Sequence, residues 1–158
     1  AKYVVDLHTV CGTVACDRIE RIPDFLENKS FDYIVLGKPI NAYPEVPRLL
    51  RALLKSLRPS GTLFLKLQNT HDVKSFLMMM GRSFPLEEFV TQIGLEQFNQ
   101  MLQLLEVSSC KILSILHQMD AESQKALRQT LTTTGLAGDV DTALRKLMTK
   151  EYSYCIRK

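Results

Sequence analysis

The sequence lacks the motifs that most often announce a cofactor or a metal. Its 7 glycines never occur as G-x-G, and closely spaced glycines are what lets a backbone approach a nucleotide at the start of a helix. No cysteines are spaced C-x-x-C, and the three histidines, His8, His71 and His117, show no H-E-x-x-H spacing. The residues therefore predict neither a zinc knuckle, a dithiol redox centre nor a metal site.

Long apolar runs and clustered charge are missing as well. No run approaches the roughly 20 apolar residues that span a bilayer, and the first residues do not form a basic segment followed by an apolar one, as a signal peptide would. Net charge is only +3, and the Lys and Arg residues are spread out without interleaved aromatics. We therefore expect no membrane partner, no nucleic-acid partner and a cytoplasmic location.

The composition that is present is that of an ordinary globular domain. Apolar residues make up 46% of the 158 residues and charged residues 23%, which predicts one domain over residues 1–158 with a real core. Without a secretory signal, the cysteines are interpreted as reduced thiols that mostly fill the core: Cys11, Cys16, Cys110 and Cys155.

Residues 31–69 carry the clearest structural pattern. Residues 32–36 form a continuous apolar run behind one acid, which is typical of a strand covered on both faces. A helix follows, with one apolar stripe; Pro59, Ser60 and Gly61 predict its end, and residues 62–67 predict a second strand. The stripe consists of Val46, Leu49, Leu50, Leu53, Leu54 and Leu57. This βαβ pattern predicts that the Phe31 and Thr62 strands are adjacent, parallel and central.

Weaker signals organise the remaining chain. Residues 17–22 suggest a short strand, residues 23–26 a turn or a single helical turn, and residues 82–90 a loop. Predicted helices cover residues 73–80 behind Asp72, residues 94–105, residues 121–134 between Asp120 and Gly135, and a stretch begun by Asp139 or Asp141. Strands are predicted at residues 111–117 and 152–157.

Three stretches resemble the class I S-adenosylmethionine-dependent methyltransferases. They are Ser30-Phe31-Asp32-Tyr33-Ile34-Val35, then Leu57-Arg58-Pro59-Ser60-Gly61-Thr62-Leu63, and Asn69 at the end of the second strand. The later elements match the family's tail in order and spacing. The resemblance implies an α/β, Rossmann-like, mostly parallel sheet whose last strand is antiparallel, with S-adenosylmethionine as the family's cofactor.

The family's Gly-rich cofactor loop has no counterpart in this sequence, and two interpretations are open. In the first interpretation, residues 4–7 and 11–13, which include Gly12, are a broken cofactor loop. In the second, residues 3–6 are the family's second strand. Only 24 residues lie between Asp6 and Phe31, too few for the missing elements, which favours the second interpretation. The fold is then truncated at its N-terminal side, as a piece excised from a longer protein would be.

The resemblance implies three candidate cofactor-binding residues. Asp6 stands where the family's ribose-binding acid stands, although a strand-end acid facing solvent is the simpler interpretation. Gly37 and Lys38 follow the Phe31 strand, where family members carry acids and a histidine. Lys38 cannot accept hydrogen bonds as an Asp does, and Pro39 favours an extended Lys38. We expect that this chain alone does not bind S-adenosylmethionine; no catalytic residue is assigned.

Two function classes remain open. One is a methyltransferase domain, with an unknown acceptor, that is completed by an upstream or neighbouring domain of the parent protein. The other is a non-catalytic methyltransferase-like module for packing or protein interaction. Residues 3–6 would pair with residues 32–36 or offer an open edge to a second copy, which makes a homodimer a possible assembly.

Overall fold

The computed structural model of this chain describes residues 21–73, 93–105, 107–135 and 138–158. Helices are α1 (Ile22–Leu26), α2 (Val46–Lys55), α3 (Leu95–Gln103), α4 (Ala121–Thr134) and α5 (Val140–Met148), with a 3₁₀ turn at Ile40–Ala42. Strands are β1 (Phe31–Val35), β2 (Leu57–Gln68), β3 (Ser109–Leu116) and β4 (Thr149–Arg157).

The four described strands form one mixed sheet in the order β1-β2-β4-β3. β1 pairs with β2 in parallel, placing Ile34 opposite Leu63. β4 runs antiparallel to both β2 and β3, placing Tyr154 between Leu65 and Ile112. Because β4 alone is reversed, β1, β2 and β3 all point the same way. The predicted mostly parallel α/β sheet with an antiparallel last strand is confirmed.

One face of the sheet carries the main core. Alternate residues of β2 and β4 point to this face, and α2 and α3 supply the opposing side chains. Phe98 of α3 meets Tyr154 edge to face, with ring centroids 4.9 Å apart. The fully buried centre of the core comprises Ile40, Val46, Leu50, Leu63, Leu67, Phe98 and Ile156. Burial of these side chains is the main driving force for docking both helices on the sheet.

Helix α2 buries the stripe predicted for it. Five of its residues are buried, namely Val46, Leu49, Leu50, Leu53 and Leu54. Arg48 lies on the exposed side, where it contacts Asp24 at 2.9 Å and Glu45 at 3.2 Å. The periodicity of the sequence therefore fixed both the helix and its buried side.

The end of α2 differs from the prediction. The helix ends at Lys55, and the backbone N–H of the next residue, Ser56, donates to the carbonyls of Ala52 and Leu54. Leu57 then begins β2 and lies opposite Phe31. Pro59, Ser60 and Gly61 therefore form an irregular stretch inside β2, between the Phe31–Leu57 and Tyr33–Thr62 pairs. Such a bulge tolerates Pro59, because its residues do not donate to the ladder.

The exposure of β1 is also unlike the prediction. Its apolar run was expected to be covered on both faces, yet Tyr33 is 70% and Val35 is 72% exposed. β1 stands at one end of the order of described strands. The strand predicted beside it, residues 3–6, lies outside the described residues, so the prediction that β1 is central stays untested.

The first described helix replaces part of a predicted strand. Ile22, expected to end a strand over residues 17–22, is the first residue of α1, with Pro23 in the first turn. Proline at this position suits a helix start, because its missing N–H would be unpaired there anyway. Residues 17–20 lie outside the described residues.

Helices α4 and α5 form a hairpin between β3 and β4. Asp120 caps α4 by accepting from the Ser123 backbone N–H, and Gly135 ends it at φ 62°. Asp139, rather than Asp141, caps α5 by accepting from the N–H groups of residues 141 and 142. The hairpin has its own small core around Val73, Leu127 and Leu131.

The two described cysteines do not fill the core. Cys110 is an exposed free thiol on β3, and Cys155 is a half-buried free thiol on β4. This corrects the interpretation of both as core residues. Cys11 and Cys16 lie outside the described residues.

Candidate functional site

The carboxyl ends of β1, β2 and β3 meet at one edge of the sheet because these strands are parallel. In open α/β sheets this edge is where ligands bind. Three segments leave it: residues 36–45 after β1, residues 69–73 after β2, and His117 after β3. Candidate functional residues are therefore sought in these segments.

The segment after β1 is fixed to β2 by a buried asparagine. Asn41 is completely buried; its amide nitrogen donates to the Gln68 carbonyl at 3.0 Å, and its side-chain oxygen accepts from the Gln68 N–H at 3.2 Å. No pattern in the sequence predicted this role for Asn41. A polar residue in an otherwise apolar 3₁₀ turn is the only signal that could have indicated it.

Gly37 and Lys38, both predicted to contact the cofactor, lie together and exposed after β1. The Lys38 backbone N–H donates to the Tyr43 hydroxyl, while burial, the larger effect, raises the pKa of that hydroxyl. A Cβ added to Gly37 would meet no atom within 4 Å, so nothing approaches the backbone there. The third candidate, Asp6, lies outside the described residues.

These features do not fit S-adenosylmethionine. A cradle needs free backbone N–H groups and a glycine that allows close approach. Here the N–H of Lys38 is already engaged, and the one carboxylate of residues 36–45, that of Glu45, already pairs with Arg48 at 3.2 Å. Among the described residues, the loop after β1 therefore offers no formed site for the cofactor.

Asn69, at the end of β2, joins the sheet edge to the helical hairpin. Its amide nitrogen donates to the carbonyls of Lys146 at 2.9 Å and Thr149 at 2.8 Å. Its side-chain oxygen accepts from the His71 backbone N–H at 3.1 Å. One amide thus fixes the exits of β2 and α5, a structural role for the residue that matched the family pattern.

A buried Asp–His pair lies at the same edge. Asp72 Oδ2 and His117 Nε2 are 2.7 Å apart, and the two side chains are only 7% and 13% exposed. The backbone N–H of His117 donates to the Met148 carbonyl at 2.7 Å, which holds the residue at the end of β3. Asp72 was predicted to be a helix cap and His117 a strand-end residue. His117 does end a strand, but the pair was not foreseen.

The pair has the geometry of a carboxylate that orients an imidazole. When Nε2–H donates to Asp72, Nδ1 carries the lone pair and can accept a proton. Nδ1 forms no hydrogen bond with any described residue. The signal in the sequence that was missed is the position of the two residues, since each of them follows a strand and the two strands end at the same edge. Over the ranges with assigned structure, no three metal-ligating side chains cluster.

His71 is the neighbouring exposed histidine. Its Nδ1 lies 3.1 Å from the Thr70 hydroxyl, and its Cε1 lies 4.0 Å from where a Cβ on Gly94 would be. Gly94 precedes α3, so the imidazole lies beside the start of that helix. The β2 and β3 exits therefore contain two histidines and an acid, whereas the β1 exit contains Lys38 and, at its far end, Glu45.

Similarity to known proteins is evident in the fold rather than in the sequence. No protein-family model and no curated protein matches the chain. Among solved structures, it is similar to an S-adenosylmethionine-dependent methyltransferase from Archaeoglobus fulgidus, with 17% identity, TM-score 0.54, 92% of this chain and 66% of the other covered. It is likewise similar to the plantazolicin methyltransferase BpumL solved with S-adenosylhomocysteine, with 18% identity and TM-score 0.52, covering 91% of this chain and 57% of the other.

A third solved structure agrees. A putative sarcosine dimethylglycine methyltransferase from Galdieria sulphuraria shares 12% identity at TM-score 0.51, covering 92% of this chain and 59% of the other. The chain therefore has the fold of S-adenosylmethionine-dependent methyltransferases, as the sequence resemblance predicted. It spans 57–66% of the length of these three proteins.

Among the described residues, no helix is both long enough and apolar enough to cross a bilayer.

Proposed function

We propose that this chain is part of a methyltransferase domain that acts on an unknown acceptor, with S-adenosylmethionine held mainly by residues outside the described ones. The observation that carries the proposal is the methyltransferase fold combined with a buried Asp72–His117 pair, 2.7 Å apart, at the carboxyl edge of the parallel strands. The partner needed is an upstream or neighbouring domain of a parent protein.

The proposed role of the chain's own residues is to receive a proton. Asp72 holds the imidazole of His117 in the tautomer in which Nδ1 carries the lone pair. His117 then takes a proton from the methyl acceptor as the nucleophilic atom of that acceptor reacts. General-base assistance of this kind contributes typically 10²–10⁴-fold in rate. Asn69 and the α4–α5 hairpin support the pair by fixing the ends of β2 and α5.

The isolated chain should bind the cofactor poorly. Of the expected contacts only Asp6 and the exposed Gly37–Lys38 turn remain, and that turn carries no carboxylate. Contacts this few cannot offset the lost rigid-body freedom of a ligand, at least about 4 kcal/mol. Titration calorimetry with S-adenosylhomocysteine should therefore give no saturable binding. Micromolar binding that Asp6→Ala abolishes would overturn this expectation and restore the broken-loop interpretation with Gly12.

The catalytic role is tested in the parent protein. His117→Gln keeps a donor near the Nε2 position for Asp72 but cannot accept a proton. We expect the variant to retain S-adenosylhomocysteine binding and thermal stability. Its rate of methyl transfer from labelled S-adenosylmethionine to acceptors in a cell extract should fall at least about 100-fold. Unchanged transfer, with an unchanged pH profile, would remove His117 from the reaction.

The second candidate is a non-catalytic module for protein interaction. The exposed apolar side chains of β1 and β3, including Val35 at 72% and Leu113 at 70%, favour it. The outcome that selects this function is a parent protein that does not bind S-adenosylhomocysteine. In either case we propose a cytoplasmic location, where the free thiols Cys110 and Cys155 would remain reduced.

A further inference from the structure

Strand β3 is an unusually open edge of the sheet. All eight of its residues, Ser109–Leu116, are exposed, and no described strand pairs with its outer side. Four of them are large apolar residues: Ile112, Leu113, Ile115 and Leu116, at 43, 70, 40 and 47% exposure. Natural edge strands are usually shortened, interrupted by proline or charged to prevent pairing. β3 has none of these protections beyond Lys111.

We propose that β3 is a dimer interface, at which two copies of this chain pair antiparallel through this strand about a two-fold axis at Leu113. The two sheets would then continue into one eight-stranded sheet. A two-fold axis normal to the sheet keeps corresponding faces on the same side, so each residue meets a residue of the same face.

The chemistry of the strand is self-complementary in this arrangement. Leu113, the most exposed apolar residue of β3, lies opposite Leu113 of the second copy. Lys111 lies opposite Ile115, so its aliphatic stem covers an apolar side chain. On the other face, Ile112 lies opposite Ser114 and Cys110 opposite Leu116.

The single charge does not oppose the pairing. The two copies of Lys111 are offset by four residues along the strands, about 14 Å. This exceeds the Debye length of about 8 Å at physiological ionic strength. β3 carries no acid, so a basic peptide would find no charge partner on this strand.

The edge is short, so the dimer should be reversible. Seven paired residues span about 24 Å, an interface at the low end of the specific size range. We therefore expect concentration-dependent association, with dissociation in the micromolar range. The paired residues end at Leu116, one residue before His117, and include neither Asp72 nor the loop after β1.

Sedimentation measures the association. The wild-type chain should change from monomer to dimer between about 1 and 100 μM, and Leu113→Lys should weaken the dimer at least about tenfold by placing like charges directly opposite. Leu104→Lys is the matched control: Leu104 is 82% exposed just after α3 and is not part of β3, and the variant should associate like wild type. Circular dichroism verifies that both variants fold.

Cysteine cross-linking tests the register. In a Cys110→Ser background, Leu113→Cys should form an intermolecular disulfide on mild oxidation, since opposite Cβ atoms in an antiparallel pair are close enough. Val35→Cys on β1 should not. A chain that stays monomeric throughout the concentration range, or Val35→Cys cross-linking as efficiently as Leu113→Cys, would refute the proposal; the second result would indicate dimerisation at the β1 side instead.

Discussion

Gly61 makes the junction between β1 and β2 possible, and replacing it should destabilise the protein. A Cβ at this position would lie 2.9 Å from the Arg58 carbonyl oxygen, 3.1 Å from that of Phe31 and 3.2 Å from that of Asp32. All three are backbone atoms, which cannot rotate away as a side-chain end could. The φ of Gly61 is not positive, so contact rather than backbone conformation requires glycine.

The cost of Gly61→Ala follows from this geometry. Relief requires reshaping the bulge at Arg58 and moving β1 away from it. The second movement lengthens the hydrogen bonds from Phe31 N–H to Ser56 and from Leu36 N–H to Phe64, now 2.8 and 2.9 Å. Overpacking of this kind costs about 1–3 kcal/mol. For a chain of this size that lowers the melting temperature by about 2–12 °C.

The assay compares Gly61→Ala with Gly37→Ala in thermal and urea unfolding followed by circular dichroism. Gly37 has no neighbour within 4 Å of an added Cβ and no positive φ, so its substitution should be neutral or stabilising by up to about 1 kcal/mol. Hydrogen exchange at Phe31 and Leu36 should accelerate only in Gly61→Ala. Equal stability of the two variants would refute the steric reasoning.

Three further predictions concern named polar groups. Asn69→Ala should lower the free energy of unfolding by about 1–3 kcal/mol, because it leaves carbonyls of the α5 exit unpaired; urea titration measures this. Hydrogen bonds from Ser123 and Thr142 lower the pKa of Asp120 and Asp139, so their capping is present above about pH 4 and is lost as pH falls; far-ultraviolet dichroism follows the helix loss. Burial raises the pKa of Tyr154 above that of an ordinary tyrosine, so stability should fall as pH rises past about 10, measured by tyrosinate absorbance.

Each of these has a control. Asn69→Asp keeps the shape and the acceptor but removes the donor, and stability equal to wild type would refute the role of the amide. Asp120→Asn with Asp139→Asn should cap without titrating, and an unchanged acid transition would exclude the caps as its cause. Tyr154→Phe removes the 2.9 Å hydrogen bond to Asn99 and should reduce the alkaline tyrosinate change that accompanies unfolding, leaving the part due to Tyr43 and Tyr152, whose pKa burial also raises.

Local pattern fixed the elements of this fold. The 3.6-residue spacing of leucines located α2, Asp120 and Gly135 bounded α4, and the alternation of Tyr152, Tyr154 and Ile156 identified β4, because each signal depends on neighbours in the chain. The local pattern gave a wrong prediction at residues 57–61, because Pro-Ser-Gly indicates a turn between two elements. Pairing of Leu57 with Phe31, a contact between distant residues, decided instead that this is a bulge within β2.

The sequence by itself determined the βαβ unit and the resemblance to methyltransferases, since both depend on the order and period of local segments, and that resemblance in turn implied the reversed last strand. Only the tertiary structure brought Asp72 and His117, 45 residues apart, within 2.7 Å, because that contact requires β2 and β3 to end at the same edge with β4 between them. The exposure of β1 and β3 was likewise decided by which faces α2 and α3 cover. An apolar run in the sequence indicates that a strand can be buried, but the arrangement of the helices on the sheet decides whether that strand is buried.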